Sequence, residues 1–325
     1  MFLFGITGLI FWFLFKDIPW RQFVATLQEF DFKWVALSMG LGFLSHFIRA
    51  YRWKLLLDTN GQNVWLWNSF FALMIGYLAN SIIPRLGEVT RCGVVNRKEN
   101  INIPFAFGTV ITERFIDLIM LIAVSVFTIL VQFNILETYW QDFLVKSETS
   151  LSNYWWILVI LLVLGIMTLW LWKSEKLNHL AVIKKIQNLI GQGVLGLKSV
   201  GKTRDPKGFW LSTLAIWTLY FLMLYVITLG SDGTKDLGIL AGFSILVLGS
   251  FGMASPTPNG LGTFHAFVAG VLVLYGIAYD KGIIIATILH TSQFITILVL
   301  GSISLLLVNT LKKPLTDADS AKNKR

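Results

Sequence analysis

The sequence predicts an all-α fold, a polytopic transmembrane helix bundle, and three observations carry that prediction. Of 325 residues, 55% are apolar and only 14% are charged, whereas a soluble domain needs about a quarter of its residues charged to cover its surface. The apolar residues come in long blocks, several reaching the roughly 18 to 20 residues that cross 30 Å of hydrocarbon. Thirteen Trp and eight Tyr cluster at block ends, as in Trp65 and Trp67, Tyr154 to Trp156, and Trp170 and Trp172, where aromatic belts form.

Six blocks read as full spans: 1–15, 32–53, 104–133, 153–172, 209–229 and 282–309. The first is short, about 22 Å of helix before Lys16, so it thins the bilayer or continues a start that lies upstream. It lacks the basic flank and small-residue cleavage site of a signal peptide. Residues 17–30 mix polar and apolar side chains and suit a helix lying in the interface. Two further apolar regions, 65–95 and 237–277, are each interrupted, one by Pro84 and Gly87, the other by Pro256, Pro258, Gly260 and Gly262.

Basic residues set the sides. Arg49, Arg52 and Lys54 close the second span on the cytoplasmic face. Segment 173–207 carries eight Lys or Arg against two acids, and tail 311–325 five against two, so both are cytoplasmic. Loop 134–152 holds Glu137, Asp142 and Glu148 against Lys146 and lies outside. Parity then requires region 65–95 to begin and end in the cytoplasm and region 237–277 to begin and end outside. Both become re-entrant helical hairpins, one from each face. Residues 1–133 and 153–309 therefore read as an inverted-topology repeat, joined by the external loop 134–152 and followed by a basic cytoplasmic tail, 310–325. Both termini are cytoplasmic, and the expected location is a bacterial plasma membrane.

The net charge of +9 is explained by these loops, not by nucleic-acid binding. A single cysteine, Cys92, excludes an internal disulfide and a multi-Cys metal site, and no residue pattern calls for a metal or cofactor. With its side assigned as cytoplasmic, Cys92 is expected to resist a membrane-impermeant maleimide applied to intact cells, whereas a cysteine placed at Ser147 reacts.

The candidate functional residues are ionisable or polar groups in apolar surroundings, which in a membrane are functional by default. Around the first interruption these are Asn80, Arg85, Glu88 and Arg91; the following span adds Glu113, Arg114 and Asp117. Arg85, Arg91 and Arg114 could form a phosphate or carboxylate pocket, since guanidinium forks match oxyanions and helix N-termini add N–H donors. The alternative is a closed network, Arg114 with Asp117 and Arg91 with Glu88, that pins the hairpin to the span. In the second interruption Asn259 and His265 stand out, and the last span adds His290 and Gln293. Each histidine is either a buried, hydrogen-bonded side chain or a candidate for proton coupling.

At these residues the chain resembles the lysylphosphatidylglycerol synthase transmembrane-region family, a flippase-like membrane domain. The family pattern N-x-x-x-P-x-x-G-E-x-x-R matches Asn80, Pro84, Gly87, Glu88 and Arg91; E-R-x-x-D matches Glu113, Arg114 and Asp117; P-x-P-G-G-x-G-x-x-E matches Pro256, Pro258, Gly260 and Gly262. Asp17 to Trp20 and the ending Arg49, Arg52, Trp53 also resemble it. Asn259 departs from a usual Gly and His265 from a usual Glu, which puts a carboxylate-dependent proton step in doubt. The resemblance implies movement of an aminoacylated phospholipid, another anionic lipid or a polyprenyl-linked head group between leaflets. Family members that make lysyl-phosphatidylglycerol carry a further soluble domain, for which a chain ending at Arg325 has no room. Two other classes stay open: an intramembrane lipid-modifying transferase using Glu88, Asp117 or His265 as acid or base, and a structural membrane subunit whose charges serve packing.

Overall fold

A computed structural model describes residues 2–132, 200–255 and 257–311. The predicted loop 134–152, the predicted span 153–172, most of segment 173–207 and nearly all of the tail lie outside the described residues, as does Pro256. Every regular element among the described residues is helical: α1 Phe2–Phe15, α2 Trp20–Gln28, α3 Lys33–Leu57, α4 Leu66–Ile82, α5 Leu86–Glu99, α6 Ile103–Val131, α7 Pro206–Thr228, α8 Ile239–Ala254, α9 Thr263–Leu274 and α10 Tyr279–Thr310. Three of them, α6, α7 and α10, with 29, 23 and 32 residues, are long and apolar enough to cross a membrane.

Local chemistry explains most boundaries. The α7 helix starts where Asp205 accepts a hydrogen bond from the Gly208 N–H at 2.8 Å and Pro206 fills the first turn without wasting a donor. The α4 helix ends at Ile83, which is extended (φ −129°, ψ 119°) because Pro84 follows it. Similarly, α8 ends at the extended Ser255 before Pro256 in the sequence. The start of α4 is capped from a distance: Glu99, at the end of α5, accepts from the Trp65 N–H at 3.0 Å and from Asn68 Nδ2 at 2.7 Å. That contact returns the end of α5 to the start of α4 and closes the pair into a helical hairpin.

The chain divides into two compact units, residues 1–110 with 200–325, and residues 111–199. In the first, α3 packs along α7, α4 on α5 and on α10, and α8 on α9, which in turn packs on α10. The apolar clusters of its interior include one of Trp53, Leu57, Val64, Ala72, Cys92, Val95, Ile101 and Ala106, and another of Ala50, Phe70, Phe71, Leu73, Met74 and Ile297. Outward-facing positions are also apolar, Leu37, Phe43 and Leu44 on α3 among them, as expected of a surface that meets lipid. The described part of the second unit is the remainder of α6, whose outward face carries Leu118, Ile122 and Leu130.

The short α2 lies where the sequence places an interfacial helix. Trp20 and Arg21 face out, and Gln22 donates from Nε2 to Asp280 Oδ2 at 2.7 Å, fastening α2 to the start of α10.

Candidate functional site

The two helical pairs meet. The α4 helix touches the short 3₁₀ turn Pro258–Gly260 that separates α8 from α9, and α1 touches the same turn. The turn of the second interruption is buried, with Pro258 and Gly260 in the interior, whereas Ile83, Arg85 and Leu86 at the first interruption are exposed.

At the first interruption Arg85 occupies the left-handed region, φ 66°, and is exposed. A bulky side chain in that region is uncommon and signals that the surrounding turn dictates the conformation. Asn80 Oδ1 accepts from the Gly87 N–H at 2.6 Å, so this asparagine caps the start of α5. Gly87 is not part of the break itself, as its spacing from Pro84 suggests. It lies inside α5, buried, where a Cβ would collide with the carbonyl oxygen of Gly76; a Cβ on Gly76 would in turn lie 2.8 Å from the carbonyl oxygen of Gly87. The absence of a side chain on both lets the two helices touch backbone to backbone. Glu88 is half-buried, and Arg91 is 2% exposed with its guanidinium 4.7 Å from the Trp53 ring centroid. Trp53 in turn donates from Nε1 to Thr109 Oγ1 at 3.0 Å.

The second interruption is richer in hydrogen bonds. Asn259 sits at φ 50°, and Gly260 and Gly262 at 70° and 85° on either side of the extended Leu261, and these positive φ values turn the chain tightly. The Asn259 carbonyl accepts from His290 Nε2 at 2.9 Å, which places the imidazole proton on that nitrogen. The His265 ring lies 5.0 Å from that of His290, and Phe11 and Phe15 of α1 meet its edge or face at 5.5 and 6.3 Å. His265 is 1% exposed and His290 7%, so both are interior groups. The Thr263 hydroxyl donates to the Gly252 carbonyl at 2.8 Å and joins those of Ser255 and Thr257 in a cluster that satisfies the broken end of α8. Gly252 faces the start of α9 closely, 2.7 Å from a Cβ to the Phe264 Cα, as Gly76 faces Gly87 in the first pair.

In the second unit Glu113 is fully buried, Asp117 half-buried and Arg114 exposed, all on α6. The three arginines proposed for one pocket are placed as follows. Arg85 is at the surface of the first interruption, Arg91 is buried more than a turn deeper on α5, and Arg114 belongs to the other unit.

Arg49 and Arg52, which the sequence reads as the basic cytoplasmic end of the second span, are buried cations. They do not flank a span in solvent: Arg49 is 4% exposed and Arg52 is 0% exposed, both between α3 and α7. Arg49 donates from Nη1 to the Tyr220 hydroxyl at 2.6 Å; Arg52 donates to Thr213 Oγ1 at 3.3 Å and stacks 5.9 Å from the Phe209 ring centroid. The R-x-x-R-W spacing was the signal, because it puts both guanidiniums and Trp53 on one side of α3. A guanidinium carries five N–H donors in a planar fork, the geometry that matches an oxyanion. Among the described residues no group of three or more His, Cys, Asp or Glu could hold a metal ion.

Comparison with known proteins fits this picture. The family model for the lysylphosphatidylglycerol synthase TM region matches residues 2–301. The chain is 28% identical to the UPF0104 membrane protein MJ1078 of Methanocaldococcus jannaschii over 239 residues, 72% of this chain and 97% of that protein. It is 29% identical over 100 residues to MJ1595 of the same organism, 30% of either chain. No solved structure matches it.

Proposed function

The chain belongs to the lysylphosphatidylglycerol synthase TM region family, and from that premise we propose that it is a flippase-type transporter, carrying the polar head group of an anionic, aminoacylated or polyprenyl-linked lipid between bilayer leaflets. The observation that supports this most directly is the contact of α4 with the Pro258–Gly260 turn, which joins two interrupted helical pairs inside one unit. None of the four helices involved, of 17, 14, 16 and 12 residues, reaches the length of a full span. In the proposed arrangement α4–α5 dips in from the cytoplasmic face and α8–α9 from outside, flanked by six spans in an inverted repeat. Discontinuous helices of this kind hold the substrate near the midplane in many secondary transporters. The head group passes between the two interruptions while its acyl chains stay in the bilayer, and Arg49, Arg52 and Arg91 supply the positive charge that draws a phosphate inward. The protein sits in the plasma membrane with both termini in the cytoplasm.

Reconstitution into liposomes tests the activity. Leaflet exchange of fluorescent phosphatidylglycerol or a lipid-linked sugar is expected to run faster than in protein-free vesicles, and equal rates across both head groups would exclude the proposal. The topology needs a separate measurement, because Cys92 is fully buried and would resist any reagent whichever side it faced. In a Cys92→Ser background, a cysteine at the exposed Arg97 is expected to react with an impermeant maleimide only after permeabilisation, and one at Ser147 in intact cells. External labelling at position 97 would make α4–α5 a full crossing and remove the inverted repeat.

A further inference from the structure

The α3 helix is built inside out. Between Lys33 and Arg49 its buried positions are Ser38, Gly42, Ser45, His46 and Arg49, while Leu37, Phe43 and Leu44 point outward. The spacing keeps the five on one face of the helix, so a continuous polar strip runs along the interior. Neighbouring helices add to it. Ser38 donates to the Met223 carbonyl of α7 at 2.7 Å, Gln293 of α10 donates from Nε2 to Ser38 Oγ at 3.0 Å, and Tyr220 of α7 accepts from Arg49.

Close helix packing accounts for the small members of this strip, since Gly and Ser let helices approach in a membrane. Gly42 is such a case: a Cβ there would lie 2.6 Å from Gln293 Oε1. Packing does not account for His46. This large side chain is 8% exposed, its ring lies 5.2 Å from that of Tyr77, and neither ring nitrogen has a hydrogen-bond partner among the described residues. Gln293 Oε1, beside the same strip, is likewise buried without one. An unmet polar group in a bilayer interior costs several kcal/mol, so two along the same polar strip point to a ligand that meets them.

We propose that this strip is the recognition surface for the head group, with the phosphate held at Arg49 and a neighbouring hydroxyl or primary ammonium held by His46 and Gln293; the proposal rests on the lipid-carrying function above. The spacing fits. His46 and Arg49 are three residues apart, about 4.5 Å along the helix axis, which is the order of the distance from a phosphate to the next polar group in a glycerol or ethanolamine head group. Gln293 Oε1 can only accept, and a neutral imidazole offers one acceptor and one donor. The site therefore selects head groups that bring their own N–H or O–H donors next to the phosphate. A trimethylammonium brings none.

Binding of short-chain lipids to the purified full-length protein in detergent tests this without requiring transport. Dihexanoyl-phosphatidylglycerol and dihexanoyl-phosphatidylethanolamine are expected to bind at least about tenfold more tightly than dihexanoyl-phosphatidylcholine, a difference of about 1.4 kcal/mol. His46→Phe, which keeps an aromatic ring, and Gln293→Met, which keeps the length, are expected to erase that ratio by lowering the affinity for phosphatidylglycerol and phosphatidylethanolamine at least about tenfold. A monodisperse size-exclusion peak matching the wild type shows that each variant is folded. Arg49→Gln is expected to weaken all three lipids alike. A wild-type protein without preference, or a ratio that survives both His46→Phe and Gln293→Met, would overturn the strip as a recognition surface and leave the lipid-carrying function standing. Failure of all three lipids to bind the wild type would overturn the strip as well, while the lipid-carrying function falls only if the liposome assay shows no exchange.

Discussion

Replacing Gly87 by valine is expected to abolish folding in the membrane, seen as loss of the monodisperse peak when a fluorescent fusion is extracted and run on size exclusion. Any Cβ at this position meets the carbonyl oxygen of Gly76 and comes within 2.7 Å of the Asn80 side chain. The first obstacle is backbone, and it cannot move unless α4 and α5 separate. Separation would also break the Gly87 N–H to Asn80 hydrogen bond that starts α5. Overpacking a well-filled interior costs typically about 1–3 kcal/mol when side chains can yield; here they cannot, and the cost exceeds that range. Gly93 is the control, on the same helix, exposed, with nothing within 4 Å of a Cβ. Gly93→Ala is expected to match or improve on the wild type, by up to about 1 kcal/mol of helix propensity. A well-behaved Gly87→Val variant would mean that the two helices do not lie this close.

The second large effect concerns Arg52. In the liposome assay, Arg52→Gln is expected to slow leaflet exchange of phosphatidylglycerol at least about tenfold, since a charge-assisted hydrogen bond contributes about 1.5–3 kcal/mol. Arg52→Lys keeps the charge and loses the planar fork, so it should recover only part of the rate. Lys33→Gln, at an exposed residue paired with Asp31 2.6 Å away, should leave the rate within twofold, because surface ion pairs contribute little. Full activity in Arg52→Gln, with normal extraction behaviour, would remove this arginine from the transport path and leave it a packing role.

Much of the architecture was legible along the chain. Hydropathy placed α1, α3, α6, α7 and α10, and Pro84 with Ile83 and Pro256 with Ser255 marked where helices stop, because a proline restricts the residue before it whatever surrounds it. The candidate site was legible only in part. No local cue links Asn259 to His290, yet the carbonyl of one accepts from the other across 31 residues. Gly87 looks like a helix breaker by composition and is a packing surface in fact, because its role depends on Gly76 opposite. Arg49 and Arg52 look like the basic flank of a span, since a charge near a helix end reads the same whether it snorkels to water or turns inward.

By itself, then, the sequence determined that the chain is a helical membrane protein, roughly where its helices begin and end, and that two of its apolar regions are interrupted. Those are local properties of hydropathy and backbone preference. Which polar groups lie inside was decided by the tertiary structure alone. The contacts that bury them join residues 171 positions apart, as in Arg49 with Tyr220, or 255 apart, as in Gln293 with Ser38. Burial belongs to a pair of facing helices, and no single stretch of chain encodes its partner.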